Sequence, residues 1–448
     1  MAQQGILRFR HLLTPDGMVH DRQVIVGADG RIERVEPADG GPWDGWLSLP
    51  GMPNAHSHVF QRALAGYGEA RVSGEDSFWS WREAMYRVAA RITPEQLHDI
   101  ALQGFIDMLR AGFTSVAEFH YLHHLPDGSR STAMAEAVIE AAKAAGIRLR
   151  LLPVAYFHSG FGMQPPLEGQ KRFVHRDIDE FLRLLEQLAD ACPGIAPHSL
   201  RAVPAQWLND LVRGAGEILG DAFPVHIHIA EQQREVEDCL AAHGRTPMRL
   251  LADAVDLDAR WQLVHATHAS NEEIDTIAAH GAGVVICPIT EAYLGDGLFN
   301  AVRFRERGGS LAIGSDSNCR IDAFEELRLL EYGQRLREQR RARLATGKGL
   351  GAPLWLHSVA AGANALAMPC HGIAPGEYAD FVVIDETADA LAGHAADSAL
   401  DALVINGSRN DVSAVYVAGR RVIDNGQHSL QGRARDSFHE VVRALITA

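Results

Sequence analysis

Short apolar segments alternate with amphipathic segments through the middle of the chain. Side chains that repeat at intervals of three and four residues predict helices, for example over 94–111, 178–191 and 271–280. The apolar segments predict strands over 47–56, 114–120, 148–156, 195–203, 223–230, 261–268, 283–288 and 310–316. Eight strands alternating with helices predict an α/β fold of the (β/α)8 TIM-barrel type, with a doubly wound sheet as the alternative. Polar residues cluster at the C-terminal ends of these strands, which favours the barrel.

Both ends of the chain have a different pattern. Residues 23–26 and 31–35 flank a Gly-Ala-Asp-Gly turn and predict a hairpin, and further strands are predicted at 381–384, 414–417 and 421–423. We therefore expect a small β-sandwich domain built from residues 1–48 and 369–448, which enclose a barrel at 49–368.

Charge and cysteine content narrow the classes of function. The 57 acidic residues exceed the 42 Lys and Arg residues and give a net charge of −15, which disfavours binding to nucleic acid or to an anionic membrane. No run approaches the about 20 apolar residues of a membrane span. The five cysteines are widely spaced, which predicts free thiols and a cytoplasmic location.

Histidines and carboxylates stand at the ends of four predicted barrel strands. His56 and His58 point to the same side of the first strand, and alternation along a strand lets both imidazoles reach one ion. Further groups are VHIHIAE around His228, LVHATH around His265 and IGSDS around Asp316. Because these strand ends converge at the barrel mouth, the pattern predicts a site for a borderline metal such as Zn²⁺.

The order HxH, HxxE, His and Ser-Asp along a barrel resembles the mononuclear deaminase branch of the amidohydrolase superfamily. The blocks PGMPNAHSHVFQRALAG, DSFWSWREAMYR, AEFHYLHH, HSLRAV, VHIHIAEQQ, LVHATHA, TEAYLGDG and GSDS extend this likeness over nearly the whole chain. The resemblance implies hydrolysis of N-formimino-L-glutamate, a small dicarboxylate amidine of histidine degradation, to N-formyl-L-glutamate and ammonia. It also implies a homodimer.

The resemblance implies roles for individual residues. His56, His58, His228 and Asp316 would hold one Zn²⁺ per subunit, and Glu231 would be the proton shuttle. His265 would orient or polarise the attacking water, with direct metal ligation as the alternative. His226 is expected to pack, and His268 to lie outside the ligand set.

Two carboxylates on the substrate require cationic partners in a protein this acidic. Arg82 and Arg201 meet this need, and the resemblance adds Gln61, Tyr121 and His198 as polar substrate contacts. The aromatic residues Phe78, Trp79 and Trp81 beside Arg82 are expected to form a packed loop over the site.

One segment departs from the family pattern: Asn318-Cys319-Arg320 follows Asp316 where a His followed by small residues is expected. Arg320 is expected at the surface. Three alternative functions share the metal pattern: deamination of a ring amidine such as a purine, hydrolytic dechlorination of a triazine, and binding without catalysis. The set of arginine, tyrosine and glutamine residues argues against a purine, because a purine has no carboxylates for these side chains to bind.

Overall fold

The computed structural model describes residues 5–67, 78–347 and 349–447. The N-terminal strands are β1 (Gly5–Thr14), β2 (Gly17–Val26), β3 (Ile32–Pro37) and β4 (Gly45–Pro50). The central strands are β5 (Met52–Ser57), β6 (Phe113–His120), β7 (Arg148–Ala155), β8 (Ala196–Pro197), β9 (Val225–Ile229), β10 (Trp261–His265), β11 (Gly283–Ile286) and β12 (Leu311–Ile313). The last strands are β13 (Phe381–Ile384), β14 (Val412–Val417), β15 (Arg420–Asp424) and β16 (Gln427–His428).

Helices follow the central strands and cover them. They are α1 (Phe78–Ala89), α2 (Pro94–Arg110), α3 (Ala133–Ala145), α4 (Ile178–Leu188), α5 (Leu208–Leu219), α6 (Gln233–His243), α7 (Pro247–Ala254), α8 (Asn271–His280), α9 (Pro288–Leu294), α10 (Ala301–Glu306), α11 (Ala323–Glu338), α12 (Gly351–Leu366), α13 (Ala396–Asn406) and α14 (Gln431–Thr447). Within the described ranges, no helix combines the length and the apolar character needed to cross a bilayer.

The central strands form a closed parallel barrel. Strands β5 to β8 and strands β9 to β12 make two four-stranded parallel sheets. Bridges from Ile195 to Val225 and from Ser57 to Asp316 join the two sheets at both edges. The (β/α)8 barrel predicted from the alternation is therefore confirmed, and the doubly wound alternative is wrong.

The strands of both termini form one β-rich domain, as predicted. They belong to a single sheet in the order β16-β15-β14-β13-β4-β1-β2-β3, in which only β1 and β4 pair in parallel. Phe9, Val24, Phe381 and Tyr416 share one small core, so the sheet curls over its own apolar face. The predicted hairpin of β2 and β3 is present.

Two predicted strands differ from the structure near the site. The predicted strand 47–56 is divided at Gly51, where the chain passes from the terminal sheet into the barrel. A Cβ at Gly51 would clash with the Thr114 side chain. The predicted strand 195–203 is reduced to Ala196–Pro197. Beyond Pro197 the chain turns, with Val203 N donating to Ser199 O at 2.8 Å.

Candidate functional site

Four nitrogen and oxygen donors meet at the C-terminal mouth of the barrel. The Nε2 atom of His228 lies 3.1 Å from that of His56 and 3.3 Å from that of His58. Asp316 Oδ1 lies 3.5 Å from both His56 Nε2 and His58 Nε2. All four side chains are buried, so the arrangement concentrates metal-ligating atoms where bulk water does not separate them.

The chemistry of this donor set fits a bound cation. His58 Nδ1 donates to the Phe119 carbonyl at 2.9 Å, and His228 Nδ1 donates to the His198 carbonyl at 3.0 Å. In a neutral ring this leaves an unprotonated Nε2. Burial lowers the pKa of both His58 and His228, which keeps the rings neutral. Lone pairs that face each other at 3.3 Å are favourable only with a cation between them, and three imidazoles with a carboxylate suit Zn²⁺.

Asp316 is held in place by the seam between β12 and β5. The backbone N–H groups of Ser315 and Asp316 both donate to the His56 carbonyl at 3.0 Å, and His58 N donates to the Asp316 carbonyl at 2.9 Å. Burial alone would raise the pKa of Asp316, but the hydrogen bond from His56 and the neighbouring imidazoles hold it below its usual range.

Two residues of the site have left-handed backbone conformations. The φ angle is +71° at His265 and +42° at Asp316. Non-glycine residues rarely adopt this region, and each such residue costs about 1–3 kcal/mol of strain. The fold therefore maintains an unfavourable backbone conformation that directs these two side chains into the barrel mouth.

His265 lies among three carboxylates. Its Nδ1 is 3.2 Å from Glu291 Oε1, and its Nε2 is 3.7 Å from Asp316 Oδ2 and 3.9 Å from Glu231 Oε1. Burial by itself would lower the pKa of His265, but the charge of Glu231, the hydrogen bond to Glu291 and the charge of Asp316 raise it to about 10. Burial raises the pKa of Glu231 to about 7, so Glu231 can accept and release a proton near neutral pH while His265 keeps its own.

A pocket opens directly above these residues. The five residues predicted to bind substrate all line it, together with the three predicted catalytic residues: Gln61, Arg82, Tyr121, His198, Arg201, Glu231, His265 and Asp316. His58 and His228 also line the pocket, whereas His56 lies beneath it. The structure thus brings candidate metal ligands, the Glu231 carboxylate and the guanidinium groups of Arg82 and Arg201 to one cavity.

The predicted polar contacts are fixed by neighbours. Gln61 Nε2 donates to Tyr121 Oη at 2.7 Å. His198 Nδ1 lies 3.1 Å from Ser199 Oγ. Arg201 is buried, with its Nε 3.9 Å from Glu235 Oε1. Burial opposes the charge of Arg201, but Glu235 and Glu231 raise its pKa.

The aromatic segment beside Arg82 is a helix, not the predicted loop. It forms α1, and Trp81 and Arg82 on this helix line the pocket. The side chains of Phe78 and Trp79 lie outside the described residues.

The remaining sequence features lie next to the site. His226 Nε2 donates to the Ala365 carbonyl at 2.8 Å, and His226 belongs to neither of the two candidate ligand groups found among the described residues. In the divergent segment, buried Asn318 accepts from Ser315 Oγ at 2.7 Å and donates to Ser57 Oγ at 3.1 Å, which closes the loop against β5. Arg320 is exposed, as predicted, and it forms an ion pair with Glu325.

Sequence reasoning missed four residues in or beside the site. Tyr86, Tyr156 and Gln170 form a hydrogen-bonded group at the pocket wall, and Glu291 contacts His265. Glu291 and Tyr86 lie within the motif blocks, but no periodicity indicates which of their side chains point inwards. Gln170 ends a short 3-10 turn, Glu168–Gln170, that no sequence pattern predicts.

Comparisons with known proteins agree with this geometry. The model of the amidohydrolase family matches residues 47–422. Formimidoylglutamate deiminase of Pseudomonas aeruginosa is 45% identical over 97% of this chain and 98% of its own length. The crystal structure of an amidohydrolase from Brucella melitensis has a TM-score of 0.92 at 43% identity and covers 99% of this chain and 100% of that chain.

A more distant structure shares the fold. An adenosine deaminase from Xanthomonas campestris, solved with bound zinc, has a TM-score of 0.78 at 24% identity over 98% of both chains. The family model spans the whole barrel and all the candidate metal ligands at its mouth. The chain therefore belongs to the amidohydrolase family.

Proposed function

We propose that this protein is a zinc-dependent deiminase that hydrolyses N-formimino-L-glutamate to N-formyl-L-glutamate and ammonia, a step of histidine degradation. The observation that carries the proposal is the coexistence in one pocket of the metal donors, the Glu231–His265 pair and two arginines. The relative from Pseudomonas aeruginosa, named for this deimination, supports the same reaction.

The charges in the pocket favour a dicarboxylate. Arg82 and Arg201 both line it, and guanidinium groups bind carboxylates by paired, charge-assisted hydrogen bonds. A purine or other ring amidine offers no carboxylate for these two guanidinium groups to bind. The pocket therefore favours the linear amidine over a ring substrate.

His56, His58, His228 and Asp316 would hold one Zn²⁺ per subunit. When bound, the ion supplies Lewis acidity that lowers the pKa of a coordinated water from about 15.7 to about 7. The three imidazoles remain neutral because burial opposes their protonation, so they are available as ligands at neutral pH.

The protein side chains move the protons. Glu231, with its pKa raised to about 7, takes a proton from the attacking water and delivers it to the terminal imino nitrogen. His265 keeps a proton on Nδ1 towards Glu291 and directs Nε2 towards Asp316 and Glu231, where it stabilises the attacking oxygen. Asp316 accepts the second water proton and passes it to the terminal nitrogen, so that the C–N bond breaks, ammonia leaves and the formyl group remains.

A direct test is to incubate the purified, zinc-loaded protein with N-formimino-L-glutamate and to measure ammonia and the organic product. We expect ammonia with N-formyl-L-glutamate, lost on treatment with a chelator and restored by zinc. Formamide with glutamate would show that protons reach the other nitrogen. Turnover of adenosine or guanine in place of N-formimino-L-glutamate would overturn the proposal.

Further properties stay predictions. These are the homodimer, the cytoplasmic location and the division of the chain into domains at 1–48, 49–368 and 369–448. Size-exclusion chromatography with light scattering tests the first of them.

A further inference from the structure

Two tyrosines meet at the pocket wall on the far side of His198 from the metal donors. The ring centroids of His228 and His198 are 5.0 Å apart, and those of His198 and Tyr156 are 4.6 Å apart. Tyr156 is buried and Tyr86 is half-buried, and both line the pocket. They therefore face the end of a substrate that lies farthest from the reacting carbon.

Gln170 fixes the direction of the hydrogen bonds in this group. Its Oε1 accepts from Leu167 N at 2.8 Å, so the amide cannot flip without losing that bond. Its Nε2 donates to Tyr156 Oη at 2.8 Å and to Tyr86 Oη at 3.2 Å. Gln170 is fully buried, which leaves no solvent to compete for these bonds.

This arrangement leaves one hydroxyl hydrogen for a ligand. A phenol that accepts from Gln170 still has its own O–H to donate. Both hydroxyl oxygens accept from the same Gln170 nitrogen, so at most one of the two O–H groups can be used between them and the other remains. Burial keeps the pKa of Tyr156 well above its usual value, so the group stays protonated at neutral pH.

Both arginines of the pocket lie near the same group. Arg82 Cζ is 5.6 Å from the centroid of the Tyr86 ring, and the charges of Arg201 and Arg82 both act on Tyr156. An anion held by these guanidinium groups would meet the spare O–H. A neutral donor beside two cations provides a hydrogen bond to a carboxylate oxygen without adding further charge.

We propose that Tyr86, Tyr156 and Gln170 form a phenol clamp that determines specificity for the side-chain carboxylate of the substrate. One tyrosine donates to that carboxylate, and Gln170 is a positioning residue that holds both hydroxyl groups. The inference rests on the proposed function, since it assigns the distal carboxylate of N-formimino-L-glutamate to this end of the pocket.

The main test is the double variant Y86F/Y156F, which removes two oxygen atoms and no ring. A hydrogen bond to a charged group is worth enough to raise KM for N-formimino-L-glutamate about 10- to 100-fold. We expect kcat and zinc content to stay close to those of the unaltered protein, because neither ring contacts a metal donor through its hydroxyl. Y416F, which removes a buried phenol oxygen in the terminal sheet, is the matched control and should leave KM unchanged.

Gln170→Glu tests the positioning role. A carboxylate at this position still accepts from Leu167 N but draws the tyrosine hydrogens towards itself, so no O–H remains for the substrate. We expect KM to rise at least as much as in the double variant. If this variant unfolds, Gln170→Leu gives the same test without a buried charge, because it frees both hydroxyl groups to reorient.

Isosteric amides identify which carboxylate the clamp binds. N-formimino-L-glutamine lacks only the side-chain carboxylate, and N-formimino-L-isoglutamine lacks only the α-carboxylate. We expect Y86F/Y156F to leave KM for the glutamine compound nearly unchanged and to raise it for the isoglutamine compound, as in a double-mutant cycle. A KM within twofold of the unaltered protein for N-formimino-L-glutamate, or equal losses on both amides, would overturn the inference.

Direct binding separates this inference from the proposed function. If the unaltered protein releases no ammonia, the deiminase proposal fails, and the clamp is then judged by the Kd of N-formyl-L-glutamate measured by calorimetry. A Kd raised about tenfold or more by Y86F/Y156F, but not by Y416F, supports the clamp. An unchanged Kd overturns it.

Discussion

Glu231 and His265 form a buried acid–base pair in which both pKa values are raised, but by different causes. Their nearest side-chain atoms are 3.9 Å apart. Burial raises the pKa of Glu231 to about 7, whereas nearby carboxylates raise the pKa of His265 to about 10 despite its burial. At neutral pH Glu231 is the member that can both accept and release a proton, which supports its proposed role as the proton shuttle.

Glu231→Gln keeps the size and the polarity of the side chain but removes the exchangeable proton. We expect kcat to fall about 10²- to 10⁴-fold, the usual contribution of a positioned acid–base group. Zinc content and KM should change little. Glu237→Gln, on the exposed face of α6, is the control. Turnover near that of the control would remove the shuttle role.

Glu291 holds His265 from the side opposite the metal donors. Its Oε1 accepts from His265 Nδ1 at 3.2 Å and from Cys287 N at 2.9 Å. The carboxylate thus fixes the ring and also stabilises its protonated form. This role depends on the fold of α9 against β10, which no sequence pattern shows.

Glu291→Gln should preserve the hydrogen bond and remove the charge. Because Glu291 helps to raise the pKa of His265, the alkaline limb of the pH profile of kcat/KM should move to lower pH. The measurement is that profile at equal zinc occupancy. An unmoved limb, with kcat reduced at every pH, would show that Glu291 only supports the local structure.

The seam between β5 and β12 depends on a close approach of two backbones. A Cβ at Gly314 would lie 2.7 Å from the His56 carbonyl oxygen and 2.8 Å from His56 N. Backbone atoms cannot move aside as a flexible side chain can. The same seam carries the hydrogen bonds that hold Asp316 beside His56, so the glycine protects the geometry of the metal donors.

Gly314→Ala should therefore separate the two strands. We expect the free energy of unfolding to fall by about 1–3 kcal/mol, the usual cost of overpacking, together with weaker retention of zinc during dialysis. Gly432→Ala in α14, where no atom lies within 4 Å of an added Cβ, is the control. Urea unfolding and metal analysis give both quantities, and equal behaviour of the two variants would contradict the argument.

Elements with a strong local signal were predictable from the sequence. Helix α8 occupies the predicted 271–280, because Ser270 and Glu273 form a capping box and Gly281 ends the helix. The segment 195–203 was not predictable: its apolar residues are buried by a turn after Pro197, and this turn places His198 and Arg201 in the pocket. Periodicity cannot separate a buried turn from a buried strand.

The candidate metal ligands were easier to locate from sequence than the tyrosine group at the pocket wall. His56 and His58 occupy alternate positions of one strand, so their convergence follows from strand geometry. The group of Tyr86, Tyr156 and Gln170 is assembled from α1, the residue that follows β7 and a 3-10 turn. Such contacts depend on tertiary packing, which the sequence does not display.

The whole molecule buries many histidines in the neutral form. Burial lowers the pKa of His120 and His175 to about 3 and that of His226 to about 4. In the unfolded chain these groups titrate near 6.5. Glu118 acts in the opposite sense, because burial raises its pKa to about 8, but the buried histidines outnumber such carboxyl groups among the described residues.

The metal-free protein should therefore lose stability as the pH falls from 6.5 to 4.5. In this range the unfolded chain binds more protons than the native protein, so the free energy of unfolding rises with pH. His226→Gln keeps a donor for the Ala365 carbonyl and removes one titrating group. Its slope should be shallower, by on the order of 1 kcal/mol per pH unit. Urea unfolding of both proteins after chelation measures the slopes, and parallel lines would show that His226 is protonated without cost in the native state.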